Sequence, residues 1–412
     1  NRVMGYDKTS SPITTKLVNL GIDVLFDESV AALPKDFRDQ DTQIVYTPAI
    51  PHDHPQFNFF VKGGNNIRKR AEVLGEITKD RIVFAIAGTH GKTTTASFLT
   101  HLFDYLDLEF TALLGGIMNE YQSNIVQKGD RYFIIEADEY DRSFLQLLPN
   151  FACITAIDAD HLDIYGNLEN MKKAFGQFSK LVKNKVVVAK EVELQGYSYA
   201  LEGKANYHAQ AIRVEDQGYR FDLVTPKQIH KDIYLNVMGR HNLSNAIGAL
   251  AVFDIAGFSL QKALPALKKF KGVQRRMEVF SLENKMVIDD YAHHPNEIKA
   301  VLNTVSEFYP NKRNMVVFQP HLFSRTKDFM ADFVEVLSQF DEVVLMDIYP
   351  AREKPIAEVT SDVLLSHIQH KNKRKITKEA FHSVIINSEA DLILILGAGD
   401  IGSQIKKLKK IT

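Results

Sequence analysis

Short apolar runs alternate with polar, helix-compatible stretches along the whole chain, a rhythm that predicts parallel α/β sheets. Over the first seventy or so residues the apolar runs are RVMGYD, IDVLFD and TQIVYTPAI. From Asp80 to about Lys271 they include RIVFAIA, RYFIIEADE and ACITAIDADH, with a helix expected from about Leu168 to Val182. In that helix Leu168, Met171, Phe175, Phe178 and Val182 recur at helical spacing and should form its core face. From about Gly272 to Thr412 the rhythm returns in MVIDDY, a helix from Glu297 to Phe308, NMVVFQ, EVVLMDIY and LILILGAG. The pattern predicts three α/β units in series, at 1–79, 80–271 and 272–412, and 412 residues suffice for each to bury its own core.

Charge and cysteine usage narrow the setting. Fifty Lys and Arg against 51 Asp and Glu leave a net charge of −1, so no basic field favours nucleic acid or an anionic membrane. No apolar run approaches the roughly 18 residues of a membrane span. The single cysteine, Cys153, excludes an intramolecular disulfide and lies in the apolar run FACITAI, where a buried strand thiol is expected. A reducing, cytoplasmic setting follows as the expectation.

The most informative chemistry is in Arg81 to Leu99, where an apolar strand passes through a glycine-rich turn into an amphipathic helix opening with Lys-Thr-Thr. Backbone N–H groups and the positive end of the helix would face an anion, Lys92 could reach terminal phosphates, and the Thr93 hydroxyl could hold Mg²⁺. The cradle consists of Gly88, Thr89, His90, Gly91, Lys92, Thr93 and Thr94. It is a short form, since the position of the usual first glycine is Ile86, which argues against ordinary motor, switch and kinase loops and toward a narrower set of ATP-dependent ligases. A glycine turn that merely ends a strand is the bland alternative, disfavoured by the Lys-Thr-Thr that follows.

Further polar groups fall at the ends of predicted strands, the edge of a parallel sheet where ligands collect. Glu136 begins EADEYD after one strand, and Asp158 to His161 follow the next, so Glu136 and His161 could meet around a metal ion. Gly239 to Asn245, GRHNLSN, leads into a helix in which Ile247, Leu250, Ala251 and Ile255 share a face. Asn242 could cap that helix or present its amide to the edge of adenine, and neither reading excludes the other. Gly397 to Gly402 fits GxGxxG after a strand, but too few residues follow to supply the acidic ribose ligand, so a tight strand-to-helix turn is expected.

GTHGKTTT, EADEYDRSFL, DADHLD, GRHNLSNA, QRRME, DDYAHHP and FQPHLFSRT occur in an order that resembles the Mur ligases, the amide-forming enzymes of peptidoglycan assembly. The resemblance covers nearly the whole chain. DDYAHHP together with FQPHLFSRT resembles the branch that adds L-alanine, whereas the muropeptide-recycling branch is not expected to carry the second motif. The resemblance implies a Rossmann-like UDP-binding domain, a central ATP-binding P-loop domain and a C-terminal Rossmann-like domain. It implies that ATP phosphorylates the lactyl carboxylate of UDP-N-acetylmuramate and that the amine of L-alanine attacks the acyl phosphate. The alternatives are a recycling ligase adding a preformed peptide, a folate-type glutamate ligase, or a P-loop ATPase or nucleotide switch that hydrolyses without an acceptor.

By the same resemblance Lys92 contacts the β/γ-phosphates, Thr93 and Glu136 hold one Mg²⁺, and Glu136 with His161 hold another. His241, Asn242 and Asn245 frame adenine, Arg276 reaches the phosphates on domain closure or is a hinge-surface arginine, and Asp290 meets the ribose. Tyr291, His293, His321 and Arg325 line the amino-acid pocket, with Arg325 pairing the alanine carboxylate. Such a protein is expected to be a monomer or weak homodimer, with no nucleic-acid partner and no membrane insertion. Two departures stand out. Leu322 occupies a position where many such enzymes carry arginine, which weakens one carboxylate contact. The chain also starts at Asn1 inside what resembles a second strand ending at Asp7, so the first βα unit, with its UDP-cradling loop, is expected to be absent and the chain as written poorly soluble or inactive; Asp7, Thr47 and Ala49 would mark the remaining edge.

Overall fold

The computed structural model describes residues 2–51, 53–158, 162–351 and 353–409. The central body is a ten-stranded sheet. In spatial order its strands are Ile229–Leu235, Gly218–Val224, Tyr207–Glu215, Tyr197–Ala200, Lys185–Ala189, Phe151–Ile154, Ile82–Ala87, Tyr132–Glu136, Phe110–Met118 and Ser123–Gln127. The middle is parallel as expected, but both edges turn antiparallel, through Tyr207–Leu235 on one side and Phe110–Gln127 on the other. The larger hairpin escaped the sequence reading, although Tyr219, Phe221 and Leu223 alternate as buried residues with polar neighbours, the mark of a one-sided antiparallel strand.

Two helices that the sequence describes as one-faced are buried almost all round. Lys92–Tyr105 packs against Arg240–Ile255, and the latter also covers the parallel strands, so every residue from Thr93 to Phe103 is buried. Helix Leu168–Leu181 keeps the expected face, with Met171, Phe175 and Phe178 fully buried and joined there by Ala174. Asn167 caps it, its side chain accepting from the Asn170 N–H at 2.9 Å. Each buried phenylalanine contributes on the order of 2–3 kcal/mol of hydrophobic stabilisation.

A six-stranded sheet follows, ordered Glu278–Leu282, Lys285–Asp290, Leu392–Leu396, Asn314–Phe318, Glu342–Leu345 and Lys373–Lys375, parallel except at its first pair. Its centre is nearly continuous Val, Ile and Leu because helices cover both faces. The Gly397 turn leads from Leu392–Leu396 into helix Ile401–Leu408, the strand-to-helix turn that the sequence predicts. Before the central sheet lie two parallel pairs, Met4–Tyr6 with Asp23–Leu25 and Ile44–Tyr46 with Ile67–Lys69. These are three-residue strands, and no ladder joins the two pairs among the described residues.

The two large sheets meet at residues 271–277. Gly272 and Ile117 carbonyls accept from the Asn119 and Gln274 N–H groups at 3.1 and 2.9 Å, a short backbone splice between the bodies. Arg275 and Met277 take left-handed conformations there, with φ of 59° and 49°, so this joint is locally strained. Asp290 braces it: one carboxylate oxygen accepts from Met277 N–H at 2.7 Å and the other from Ala292 N–H at 2.8 Å.

Candidate active site

A cleft of about 970 Å³ opens at this joint, with the C-terminal edges of both parallel sheets facing it. Thr89, His90, Gly91, Lys92, Thr93, Thr94 and Glu136 line it from the central sheet, and His241, Asn242 and Asn245 from the start of helix Arg240–Ile255. Arg276, Asp290, Tyr291, His293, His321 and Arg325 line the opposite wall. Among the residues singled out in the sequence, Gly88 belongs to the loop without lining the cleft, Asp7, Thr47 and Ala49 do not line it, and His161 falls outside the described residues, as do Ala159 and Asp160.

The loop can take its shape only with glycine at two positions. Gly88 has φ +140°, and a β-carbon there would collide with the Thr155 hydroxyl; Gly91 has φ +81°, and one there would lie 2.5 Å from Asn245 Oδ1. Gly91 then caps helix Lys92–Tyr105, which leaves that helix's first N–H groups directed at the cleft. Neighbouring strands pin the loop. Thr155 Oγ1 donates to the His90 carbonyl, Thr89 N–H to the Ala156 carbonyl at 3.0 Å, and Asp158 N–H to Thr89 Oγ1 at 3.0 Å.

Lys92 is folded back within this loop. Its ammonium donates to the Gly88 carbonyl at 2.6 Å and lies 2.8 Å from both carboxylate oxygens of Glu139, a side chain with no exposed surface. Burial works to neutralise Lys92, but Glu139 and Glu136 outweigh it and hold the ammonium charged. Glu139 belongs to EADEYD, yet nothing in the spacing of that motif distinguishes it from Glu136 as the lysine's partner.

Glu136 lies across from Thr93, whose hydroxyl donates to it at 2.9 Å, while its second oxygen accepts from Gly115 N–H at 2.7 Å. A hydroxyl and a carboxylate at one sheet edge are hard oxygen donors that suit Mg²⁺. Among the described residues no group of three His, Cys, Asp or Glu side chains forms a metal cluster.

Asn242 does not cap its helix. Gly239 holds that position and the Asn242 amide, one turn in, donates to the Met238 carbonyl at 2.7 Å. Burial and the nearby Arg276 guanidinium push His241 down to about 4, which leaves its imidazole neutral at pH 7. Arg276 and Arg275 sit over the Tyr291 ring, with guanidinium carbons 5.1 and 5.3 Å from its centre. Arg275 is tied down to Asp289 at 3.2 Å and to the Gly397 carbonyl at 2.5 Å, whereas Arg276 lines the cleft.

The far wall is aromatic and cationic. The His293 ring lies 5.4 Å from Tyr291 and 5.8 Å from His321, and His321 stacks on Tyr349 at 5.7 Å. Arg325, on helix Phe323–Asp328, places Nη1 3.4 Å from His321 Nδ1. Burial, His293 and Arg325 push His321 down to about 4. Leu322 also faces the cleft, in a backbone conformation of φ 72° and ψ 137° that suits glycine. It is held there by Leu322 N–H donating to the Tyr349 carbonyl at 2.9 Å.

Glu297 escaped the sequence reading except as a helix boundary. It lies at the third position of helix Pro295–Phe308, and its Oε2 accepts from the His293 and His294 N–H groups at 3.0 and 3.2 Å, a capping box whose spacing is visible in HHPNE. Its Oε1 lies 3.2 Å from His90 Nδ1, a contact between the two sheets that no local pattern announces.

Comparison with known proteins places this geometry. Residues 1–81, 86–253 and 275–399 match, in turn, the catalytic domain of the Mur ligase family, the Mur ligase middle domain and the Mur ligase glutamate ligase domain. The chain is 45% identical to the UDP-N-acetylmuramate–L-alanine ligase of Flavobacterium johnsoniae over 413 residues, covering 100% of this chain and 92% of the relative. It is 42% identical to the same-named ligase of Porphyromonas gingivalis, covering 99% and 93%. The solved UDP-N-acetylmuramate-alanine ligase of Thermotoga maritima superposes with a TM-score of 0.85 at 28% identity over 99% of this chain and 93% of that one. The murein peptide ligase of Psychrobacter arcticus superposes at 0.72 with 20% identity over 99% and 93%, a likeness of fold.

Proposed function

The chain belongs to the Mur ligase family, and from that premise we propose that it joins L-alanine to the lactyl carboxylate of UDP-N-acetylmuramate, consuming ATP and releasing ADP and phosphate, in peptidoglycan precursor synthesis. The observation that carries the reading is one cleft holding both a phosphate loop and, across the joint, the His293, His321 and Arg325 wall. We assign the division of labour to units 1–79, 80–271 and 272–412, acting in the cytoplasm as a monomer or weak homodimer; no helix among the described residues is long and apolar enough to cross a membrane.

In this mechanism a lactyl carboxylate oxygen attacks the γ-phosphorus, the bond to the β-phosphate oxygen breaks, and ADP departs. The amine of L-alanine then attacks the acyl carbon, phosphate leaves and the amine loses a proton. Both steps pass through anionic centres, so the residues act by position and charge. The loop N–H groups and Lys92 hold the β/γ-phosphates, and His241, Asn242 and Asn245 hold the adenine end, with Asp290 toward the ribose. Thr93 and Glu136 are the residues that would hold Mg²⁺, which supplies neutralisation of phosphate charge when bound; His161 is assigned to the same role by resemblance alone. Arg276, carried on the joint, adds positive charge as the bodies close, and closure keeps water from the acyl phosphate. Arg325 anchors the alanine carboxylate beside Tyr291, His293 and His321.

Phosphate release tests this reading, measured on the chain with a first βα unit restored ahead of Asn1, with ATP, Mg²⁺ and UDP-N-acetylmuramate present and L-alanine, L-serine, glycine, L-glutamate or a muropeptide supplied in turn. Release that requires the UDP-sugar and prefers L-alanine is expected. Turnover only with the peptide would move the chain to the recycling branch, and release indifferent to every acceptor would make it an ATPase.

A further inference from the structure

A capping role accounts for one carboxylate oxygen of Glu297 and leaves the other unexplained. Oε2 is committed to the His293 and His294 N–H groups and lies 3.4 Å from His293 Nδ1. Oε1 crosses the cleft to His90 Nδ1 at 3.2 Å, and the far side of that imidazole faces Asp158 at 3.6 Å. His90 is part of the phosphate loop itself, with its carbonyl bound by Thr155. His293 is part of the opposite wall, in ring contact with Tyr291 and His321. One carboxylate, mostly buried, therefore touches both halves of the site through groups whose positions matter to different ligands.

We infer that Glu297 is a positioning residue that couples the phosphate loop to the amino-acid pocket through His90 and His293, so that filling either half tightens the other. The inference rests on the functional reading above. Its physical basis is differential contact: a loop displaced by phosphates moves His90, Glu297 follows or loses its partner, and His293 is reset with it. Coupling of this kind is reciprocal and is measured as a ratio of affinities.

The test is calorimetric titration of the full chain with a non-hydrolysable ATP analogue and Mg²⁺, with and without saturating L-alanine. In the unmodified protein L-alanine should tighten the analogue by about fivefold or more, the lower end of ordinary coupling. In Glu297→Gln the ratio should fall to about one, and in His90→Asn likewise, with no further change in the double variant because both act through one contact. A purely capping role predicts instead a lower Tm for Glu297→Gln with the ratio preserved. His90→Asn leaves the cap intact and decides the question should Glu297→Gln fail to fold. A ratio of one in the unmodified protein, or independent effects of the two substitutions, overturns the inference while leaving the ligase assignment standing. If the analogue does not bind at all, the functional reading fails and this inference with it.

Discussion

Replacing Glu139 with glutamine should destabilise the empty enzyme and strengthen its grip on nucleotide. The Lys92 ammonium, with a side chain 14% exposed, lies 2.8 Å from the wholly buried Glu139 carboxylate. At that separation the gross attraction is about 6 kcal/mol for an effective dielectric of 20, most of it offset by the cost of removing both charges from water. Neutralising one partner leaves the other charge buried, which costs about 3 kcal/mol. Glutamine keeps the shape, and the bond from the Tyr165 hydroxyl to the Glu139 carbonyl, 2.6 Å, is untouched. Urea unfolding should therefore show a loss of about 3 kcal/mol in Glu139→Gln, largely restored in the double variant with Lys92→Met, where neither charge remains. Nucleotide phosphates must take Lys92 from this carboxylate, so its neutralisation should tighten ADP or an ATP analogue by about tenfold, equivalent to 1.4 kcal/mol. Unchanged or weaker nucleotide binding in a folded Glu139→Gln protein would refute the idea that Glu139 competes with phosphate for the lysine.

Other substitutions probe the remaining walls of the cleft. Gly91→Ala forces a β-carbon to within 2.5 Å of Asn245 Oδ1 at a positive φ, so nucleotide binding should be lost and stability should drop by about 1–3 kcal/mol, read by calorimetry and thermal unfolding. Arg325→Ala should raise the KM for L-alanine by about 10- to 100-fold, the worth of a charged hydrogen bond, with nucleotide affinity nearly unchanged; an unchanged KM would remove Arg325 as the anchor. Leu322→Gly relieves a left-handed backbone and should raise stability by about 1 kcal/mol, whereas a loss would show that leucine packing outweighs the strain. Stability should decline between pH 6.5 and 4. His241 and His321 have folded pKa values of about 4, below the unfolded value, so in that window only the unfolded chain gains their protons. Each can contribute a slope of up to about 1.4 kcal/mol per pH unit; above pH 6.5 neither titrates, and below 4 both states are protonated and the penalty levels off. His241→Asn should flatten the slope, and an unchanged urea-unfolding profile would refute that origin.

What could be read without coordinates was whatever depends on neighbours along the chain. The strand–loop–helix at Ile82–Tyr105, the amphipathic helix at Leu168–Leu181 and the turn at Gly397 are set by residue spacing and by backbone conformations that only glycine tolerates. The motifs likewise led to the phosphate loop from Gly88 to Thr94 and to Glu136, Asn242 and Asp290, because each lies at the end of a strand or the start of a helix where local order fixes direction. Elements buried on all sides were misread as one-faced, since the pattern of a single helix does not show that a second helix will cover its outer face. The Lys92–Glu139 pair, the Glu297 bridge to His90 and the bracing of the joint by Asp290 were invisible for a related reason. Each joins groups from different elements, and the burial and distance that determine its strength exist only once the sheets have packed against one another.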